Sequence, residues 1–434
     1  MYTNTTDVCA DEGKFAGRKT LRTGTRQIMG SNNLRRVFVA GYARTPIGSL
    51  CGSISQIPVH KLAVPTILKA LERSQLDKEF IDCLVFGQSF STGCGPLPLQ
   101  KIAIATGTFL ATVTALRINI NAKTHLVNNL CCSGMDSITL GYDFIKGGKD
   151  VCIVGSMESM SQSPFFLKRL RTEKYNLGNI LLNDSIINDG YDYICSNKEL
   201  KKDNNMELFC EKYKIPRVDL DNYVINSFKR TANAYSENLI QQEIYPLIIK
   251  RKKKLELEKI IIDSDEIYKK CNIDDICNLS TQSIVTNYNI APFADGACAI
   301  VLMSEQKMNE LELNPLAEIV TYDTAAVYPS DAPLSISYSI MKCLKKINKP
   351  SVDYYEINES SALDVVFNMR NLNLDPSNVN INGGSLSLGN PTAVSGSRIF
   401  ISLITVLKNF DMKFGCASIN NYMGASTSIV VENV

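Results

Sequence analysis

The chain has 434 residues, 45% hydrophobic and 21% charged, ordinary values for soluble globular protein that exclude wholesale disorder. Its net charge of +2 lacks the basic excess of a nucleic-acid binder, and no apolar run approaches the ~18 residues of a membrane-spanning helix. The only histidines, His60 and His125, exclude a histidine-rich metal site, and the 14 scattered cysteines contain no C-x-x-C pair and lack the density of a secreted disulfide scaffold.

Residues 1–36 differ from the rest. From Gly13 to Arg36 there are seven basic residues and no acid, which reads as a solvated tail, with an organelle transit peptide as the alternative. No apolar segment follows Met1, so secretion is not expected and the cysteines read as reduced. Folded sequence begins with a short strand at Val37–Gly41. A helix follows over residues 60–74 and a strand over 81–86, and this alternation implies a layered α/β fold. Two later segments share a plan. In the first, a strand over Thr124–Cys131 enters a Cys132-Ser-Gly134 turn, a helix over Met135–Ile145 and a strand over Val151–Gly155. In the second, Val379–Gly384 takes the strand position, followed by a turn through Pro391, a helix near 395–408 and a strand over Gly415–Ile419. The shared plan suggests a duplicated domain. Between the two, residues 166–280 carry long polar and charged runs and read as an insertion of helices and loops, with an amphipathic helix over 217–235. The basic run Lys250–Lys254 reads as a solvated face, with a coenzyme phosphate as the functional alternative.

Cys131 lies where a strand meets a helix N-terminus. Unpaired N–H groups and the helix dipole there favour thiolate, the layout of a nucleophile elbow. A buried inert cysteine is the competing reading, and Cys132 is assigned to packing. His125 lies an even six positions earlier, on the same side of an extended strand but roughly 20 Å away at ~3.3 Å per residue. It therefore reads as a core histidine, and His60 as a structural residue of the first helix.

At this point the residues carry a resemblance. Val127-Asn-Asn-Leu-Cys-Cys-Ser-Gly-Met135 is similar to the nucleophile motif of the thiolases, and Ala43–Gly48 and Val59–Leu62 resemble the family's opening strand and first helix. Ser156-Met-Glu-Ser-Met-Ser161, Ala294–Ala297 with Val301–Glu305, Glu356-Ile-Asn-Glu359 and Asn382–Pro391 resemble further family blocks, in order. The resemblance implies an α/β thiolase fold, with two similar α/β domains in five layers and a loop-domain insertion. The expected division is an N-terminal domain at 37–305, including insertion 166–280, and a C-terminal domain at 306–434. It also implies acyl-CoA as substrate with no metal and no cofactor, a homodimer or homotetramer, and no nucleic-acid partner or membrane span. The cytoplasm is the expected compartment, with the mitochondrion as alternative.

Carried over residue by residue, Cys131 matches the acylated cysteine and Asn358 the water-holding asparagine. Asn390 stands where the family has its G-H-P histidine, and Asn420 where it has the second cysteine. Ala291, Ser360 and Tyr422 fall at substrate-binding positions. Asparagine donates hydrogen bonds but accepts no proton at neutral pH. A positioned acid–base group contributes ~10²–10⁴ in rate. Acylation of Cys131 is therefore easier to retain than the Claisen step. The expected function is an acetyl-CoA acetyltransferase with impaired carbon–carbon chemistry. The alternatives are a catalytically silent acyl-CoA-binding or assembly protein and, more distantly, a ketoacyl synthase.

Overall fold

The computed structural model describes residues 35–104, 122–168, 179–191, 202–253, 256–270, 276 and 282–434. Of the basic N-terminal stretch only Arg35 and Arg36 are described. Arg35 pairs with Asp150, and Arg36 pairs with Glu305 and Glu318.

The strands in chain order are β1 (Val37–Arg44), β2 (Gly48–Ser49), β3 (Cys83–Gly87), β4 (Lys123–Val127), β5 (Val151–Ser159), β6 (Phe165–Phe166) and β7 (Asn183–Asp184). They continue with β8 (Leu247–Lys253), β9 (Glu256–Ile262), β10 (Ala294–Ser304), β11 (Ala317–Ala326), β12 (Tyr354–Ile357), β13 (Phe414–Asn420) and β14 (Ala425–Asn433). The helices are α1 (Val59–Arg73), α2 (Pro98–Ile104), α3 (Ser133–Lys146), α4 (Lys202–Tyr213) and α5 (Arg217–Ser236), then α6 (Glu305–Glu310), α7 (Ala332–Lys346), α8 (Ala362–Asn371), α9 (Ser385–Leu388) and α10 (Val394–Asn409).

The main sheet repeats one succession of directions. From β1 outward lie antiparallel β10, antiparallel β5, then parallel β3 and β4. From β11 outward lie antiparallel β14, antiparallel β13, then parallel β12. The halves join where Phe38 and Val39 of β1 pair with Glu318 and Ala317 of β11. This is the duplication expected from the sequence plan, with one correction. Val379 makes a lone parallel bridge to Tyr355 where the first half has β4. Asn380 at φ 48° and Gly383 at φ 79° turn the chain out of the extended region, so no strand forms over Val379–Gly384.

Alternation along the strands builds the layers. Val37, Val39, Cys83, Val85, Cys152 and Val154 face a core shared with α3, α10, Ala417 and Ile419. Their neighbours Phe38, Ala40, Leu84, Phe86, Val151 and Ile153 face a second core under α1. Cys416 and Val430 face a third core, with α7 and α8. Helix, sheet, helix pair, sheet, helix gives the five layers. Helix α10 is buried along Val394–Leu407, as a helix enclosed between two sheets must be.

Within residues 166–280 the expected helix over 217–235 is α5, α4 precedes it, and residues 250–253 of the basic run lie on β8 of the β8–β9 hairpin. Arg44, at the end of β1, anchors the insertion. Fully buried, it donates to Glu243 Oε2 at 2.8 Å and to both oxygens of Asp265 at 2.8 and 2.9 Å. Among the described residues no helix is long and apolar enough to cross a membrane.

Candidate active site

Strand β4 ends at Val127, four residues before Cys131, so the strand expected to reach the cysteine is shorter. The chain then turns at Leu130, whose φ is 50°. Helix α3 begins at Ser133 with Cys132 as its N-cap, which puts Cys131 just outside the helix. Side chains hold this turn. Ser133 Oγ donates to Leu130 O at 2.6 Å and accepts from Asn129 N at 2.8 Å, and Ser89 Oγ donates to Leu130 O at 3.1 Å. Asn129 Nδ2 donates to Asp136 Oδ2 at 2.7 Å, and Asn421 Nδ2 to Asn129 Oδ1 at 2.8 Å.

Cys131 is fully buried among Met135, Val394 and Ile419. The Cys132 thiol lies 3.7 Å from the carbonyls of Ile419 and Ala425, and burial pushes its pKa well above the usual thiol range. Gly134 allows α3 to meet α10: a Cβ there would lie 2.4 Å from Ala393 O. That contact brings the cysteine turn against the segment carrying Asn390.

The C-terminal half supplies a bonded chain. Asn358 follows β12, and its N–H donates to Ser418 O at 2.9 Å. Its Nδ2 donates to Ser360 Oγ and its Oδ1 accepts from Ser385 Oγ, both at 2.8 Å. Ala291 N donates to Ser360 O at 3.2 Å, and Asn390 N to Pro292 O at 2.8 Å. The stretch 291–292 thus links Ser360 to Asn390. Gly389, at φ 110°, makes the turn into Asn390, where a side chain would meet Ile267 and Ala294. Ser395 Oγ donates to Asn390 Oδ1, and Asn390 Nδ2 makes no hydrogen bond among the described residues. The amide is therefore set with its donor side available.

Asn420 is placed differently. Its Nδ2 donates to Asp364 Oδ1 at 2.9 Å and to Ala332 O at 3.3 Å. Asn420, Tyr422, Ser361 and Asp364 line a cavity of about 30 Å³, room for one or two waters, and neither Cys131, Asn358 nor Asn390 lines it. The structure thus gathers Ala291, Asn358, Ser360 and Asn390 into one network, with Asn420 and Tyr422 in a neighbouring niche. The turn that carries Cys131 adjoins these elements through its neighbours: the Cys132 thiol lies against the Ile419 and Ala425 carbonyls, and Gly134 packs against Ala393 and Ser397.

Sequence reasoning missed two carboxylates. Glu158, fully buried near the end of β5, accepts from Phe90 N at 3.1 Å on Oε1 and from Ser89 N at 2.9 Å and Ala393 N at 3.3 Å on Oε2. Burial pushes its pKa up to about 7 against those three N–H donors. Because Ser89 also reaches Leu130, Glu158 ties the cysteine turn to the start of α10. An acid inside the otherwise apolar and small-residue run Val151–Ser159 was the available signal. Asp364 completes a capping box with Ser361, a spacing readable as Ser-x-x-Asp.

Neither histidine enters the network. His125 corrects the core reading: it is half-buried on the outer strand β4, its ring 5.0 Å from that of Phe144. No group of histidine, cysteine, aspartate and glutamate that could hold a metal occurs among the described residues.

Comparison with known proteins adds an independent observation. Residues 37–306 match the family model described as thiolase, N-terminal domain, and residues 313–433 match thiolase, C-terminal domain. A mitochondrial acetyl-CoA acetyltransferase A of Xenopus laevis is 32% identical over 424 residues, covering 96% of each chain. An acetyl-CoA acetyltransferase of Schizosaccharomyces pombe is 36% identical, covering 92% of this chain and 99% of its own. A thiolase of Ascaris suum solved in complex with coenzyme A superposes with a TM-score of 0.82 at 26% identity, covering 92% of this chain and all of that one.

Proposed function

Since the chain belongs to the thiolase family, acyltransferases of the acetyl-CoA acetyltransferase type, we propose that Cys131 is its acyl acceptor and that its Claisen chemistry is impaired. The observation that carries this is the braced turn at Cys131, set against the Asn390 segment through Gly134 and Ala393. The Cys131 thiol gives its proton to water, and the resulting thiolate attacks the thioester carbonyl of acetyl-CoA. A sulfur–carbon bond to Cys131 forms, the bond to coenzyme A breaks, and the coenzyme A thiolate takes a proton from water. Asn390 Nδ2 donates to the oxyanion that develops, an electrostatic role needing no proton transfer. Asn358, held by Ser360 and Ser385, positions the substrate side of the same network. Ala291, Ser360 and Tyr422 contact the acyl-CoA.

Deprotonating a substrate carbon requires a base, and neither Asn390 nor Asn420 is one. Intact-mass spectrometry after acetyl-CoA treatment should show one acetyl group, lost in Cys131→Ser; an unmodified protein overturns the acyl-enzyme reading. Acetoacetyl-CoA thiolysis should be slow and should rise at least tenfold in the double variant Asn390→His, Asn420→Cys.

The second reading, a silent acyl-CoA-binding or assembly protein, is favoured by Asn420, whose amide is bound to Asp364 and Ala332 O. Absence of both acetylation and thiolysis, with acetyl-CoA still bound, selects it. We further propose the division near residue 305, self-assembly as a dimer or tetramer, and a cytoplasmic location with the mitochondrion as alternative. Cell fractionation and light scattering test the last two.

A further inference from the structure

A second cavity lies outside this network. It measures about 410 Å³ and is bounded by the start of α1, the loop from Gln88 to Cys94, the start of α2, and residues 159–164. That volume falls within the ~300–1,000 Å³ usual for small-molecule sites. Among the described residues no carboxylate lines it.

Its lining carries two chemically different features. At the first, α1 begins behind Pro58 with no capping side chain and no acid in its first turn. The N–H groups of Val59 and His60 make no hydrogen bond among the described residues, so the positive end of this 15-residue helix is open to an anion. Lys101 stands on the same wall, its Nζ donating to Cys94 O at 2.8 Å with further protons available. Lys101 and Lys61 both act on the half-buried His60, lowering its pKa after the larger effect of burial.

The second feature is Gln88, 1% exposed, which also lines the cavity. Its Nε2 donates to Phe90 O and Cys94 Sγ, each at 3.3 Å, while its Oε1 meets no donor among the described residues. A buried amide acceptor without a donor is the group a ligand hydroxyl would satisfy.

We propose that this cavity binds a small organic anion, phosphate or carboxylate, that also carries a hydroxyl. The anion lies on the α1 N-terminus and Lys101, and the hydroxyl donates to Gln88 Oε1. The site is separate from the acyl-CoA site, although its wall runs into the loop that Glu158 ties to the cysteine turn through Ser89 and Phe90.

The test is calorimetric titration of the full chain with glycerol 3-phosphate, glycerate, inorganic phosphate and glycerol. At least one hydroxylated anion should bind ten times more tightly than phosphate, and glycerol should not bind; the better of the two identifies the anion class. Lys101→Gln should weaken binding at least tenfold and Lys101→Arg should largely restore it. Gln88→Met should erase the advantage over phosphate while leaving phosphate affinity unchanged. Cys131→Ser should bind normally, and acetyl-CoA should not compete. Melting temperatures establish that each variant is folded. The proposal is overturned by no heat from either hydroxylated anion, by affinities indifferent to both positions, or by competition from acetyl-CoA.

Discussion

Glu158 shows how much one buried side chain governs here. Ionised, it accepts three backbone N–H groups; protonated, it escapes the desolvation cost, and its pKa lies near 7 against an ordinary 4.5. The sign follows directly. A carboxyl raised on folding is protonated in the folded state while already ionised in the unfolded chain, so stability falls as pH rises from about 4.5 to 7 and levels off above. The full effect is on the order of 3 kcal/mol. Glu356, also pushed up to about 7 chiefly by burial, acts in the same direction. Melting temperature should therefore drop between pH 5 and pH 8. Glu158→Gln should reduce that drop but melt lower at pH 5, because an amide N–H facing Phe90 N leaves one donor unmet, at ~1–3 kcal/mol. Its Cys131 should also acetylate about tenfold more slowly. An unchanged pH slope in the variant would remove Glu158 from this account.

Among the elements, α8 joins the sheet to the niche at Asn420. Ser361 caps it reciprocally with Asp364, whose second oxygen holds Asn420. Ser361→Ala should cost about 1 kcal/mol, the usual value of a lost N-cap, measurable by urea denaturation. Asp364→Ala removes the return half of the capping box and also leaves one Asn420 N–H without its partner, so it should cost more, ~2–3 kcal/mol. Equal losses would mean that the Asn420 contact contributes nothing to stability. The capping spacing was legible in the sequence. The partnership with Asn420, 56 residues away, was not, because it depends on β13 ending beside α8.

Over the molecule as a whole, the insertion is held by buried charge. Arg44, Glu243 and Asp265 are each no more than 1% exposed, and Tyr235 OH adds a 2.7 Å bond to Asp265. Removing the cation leaves two carboxylates without their charge partner, a change of ~3–5 kcal/mol for such pairs. Arg44→Met should therefore lower the melting temperature by several degrees and make residues 217–270 the first to exchange amide hydrogens. Uniform exchange across the chain would show that the insertion does not depend on this anchor.

Motif order and hydrophobic alternation along the chain were sufficient for the family and its duplicated α/β plan, since both are written in local patterns of residue types. They did not reveal that β4 stops at Val127, that the second half reduces its outer strand to a bridge at Val379, or that Glu158 and Asp364 brace the site. Those outcomes depend on which backbone N–H groups meet a given carboxylate after the two halves pack across α3 and α10. The scarcity of histidine gains its meaning the same way. A count of two limits the candidates for a base, while packing puts one on the outer strand and the other on a separate cavity.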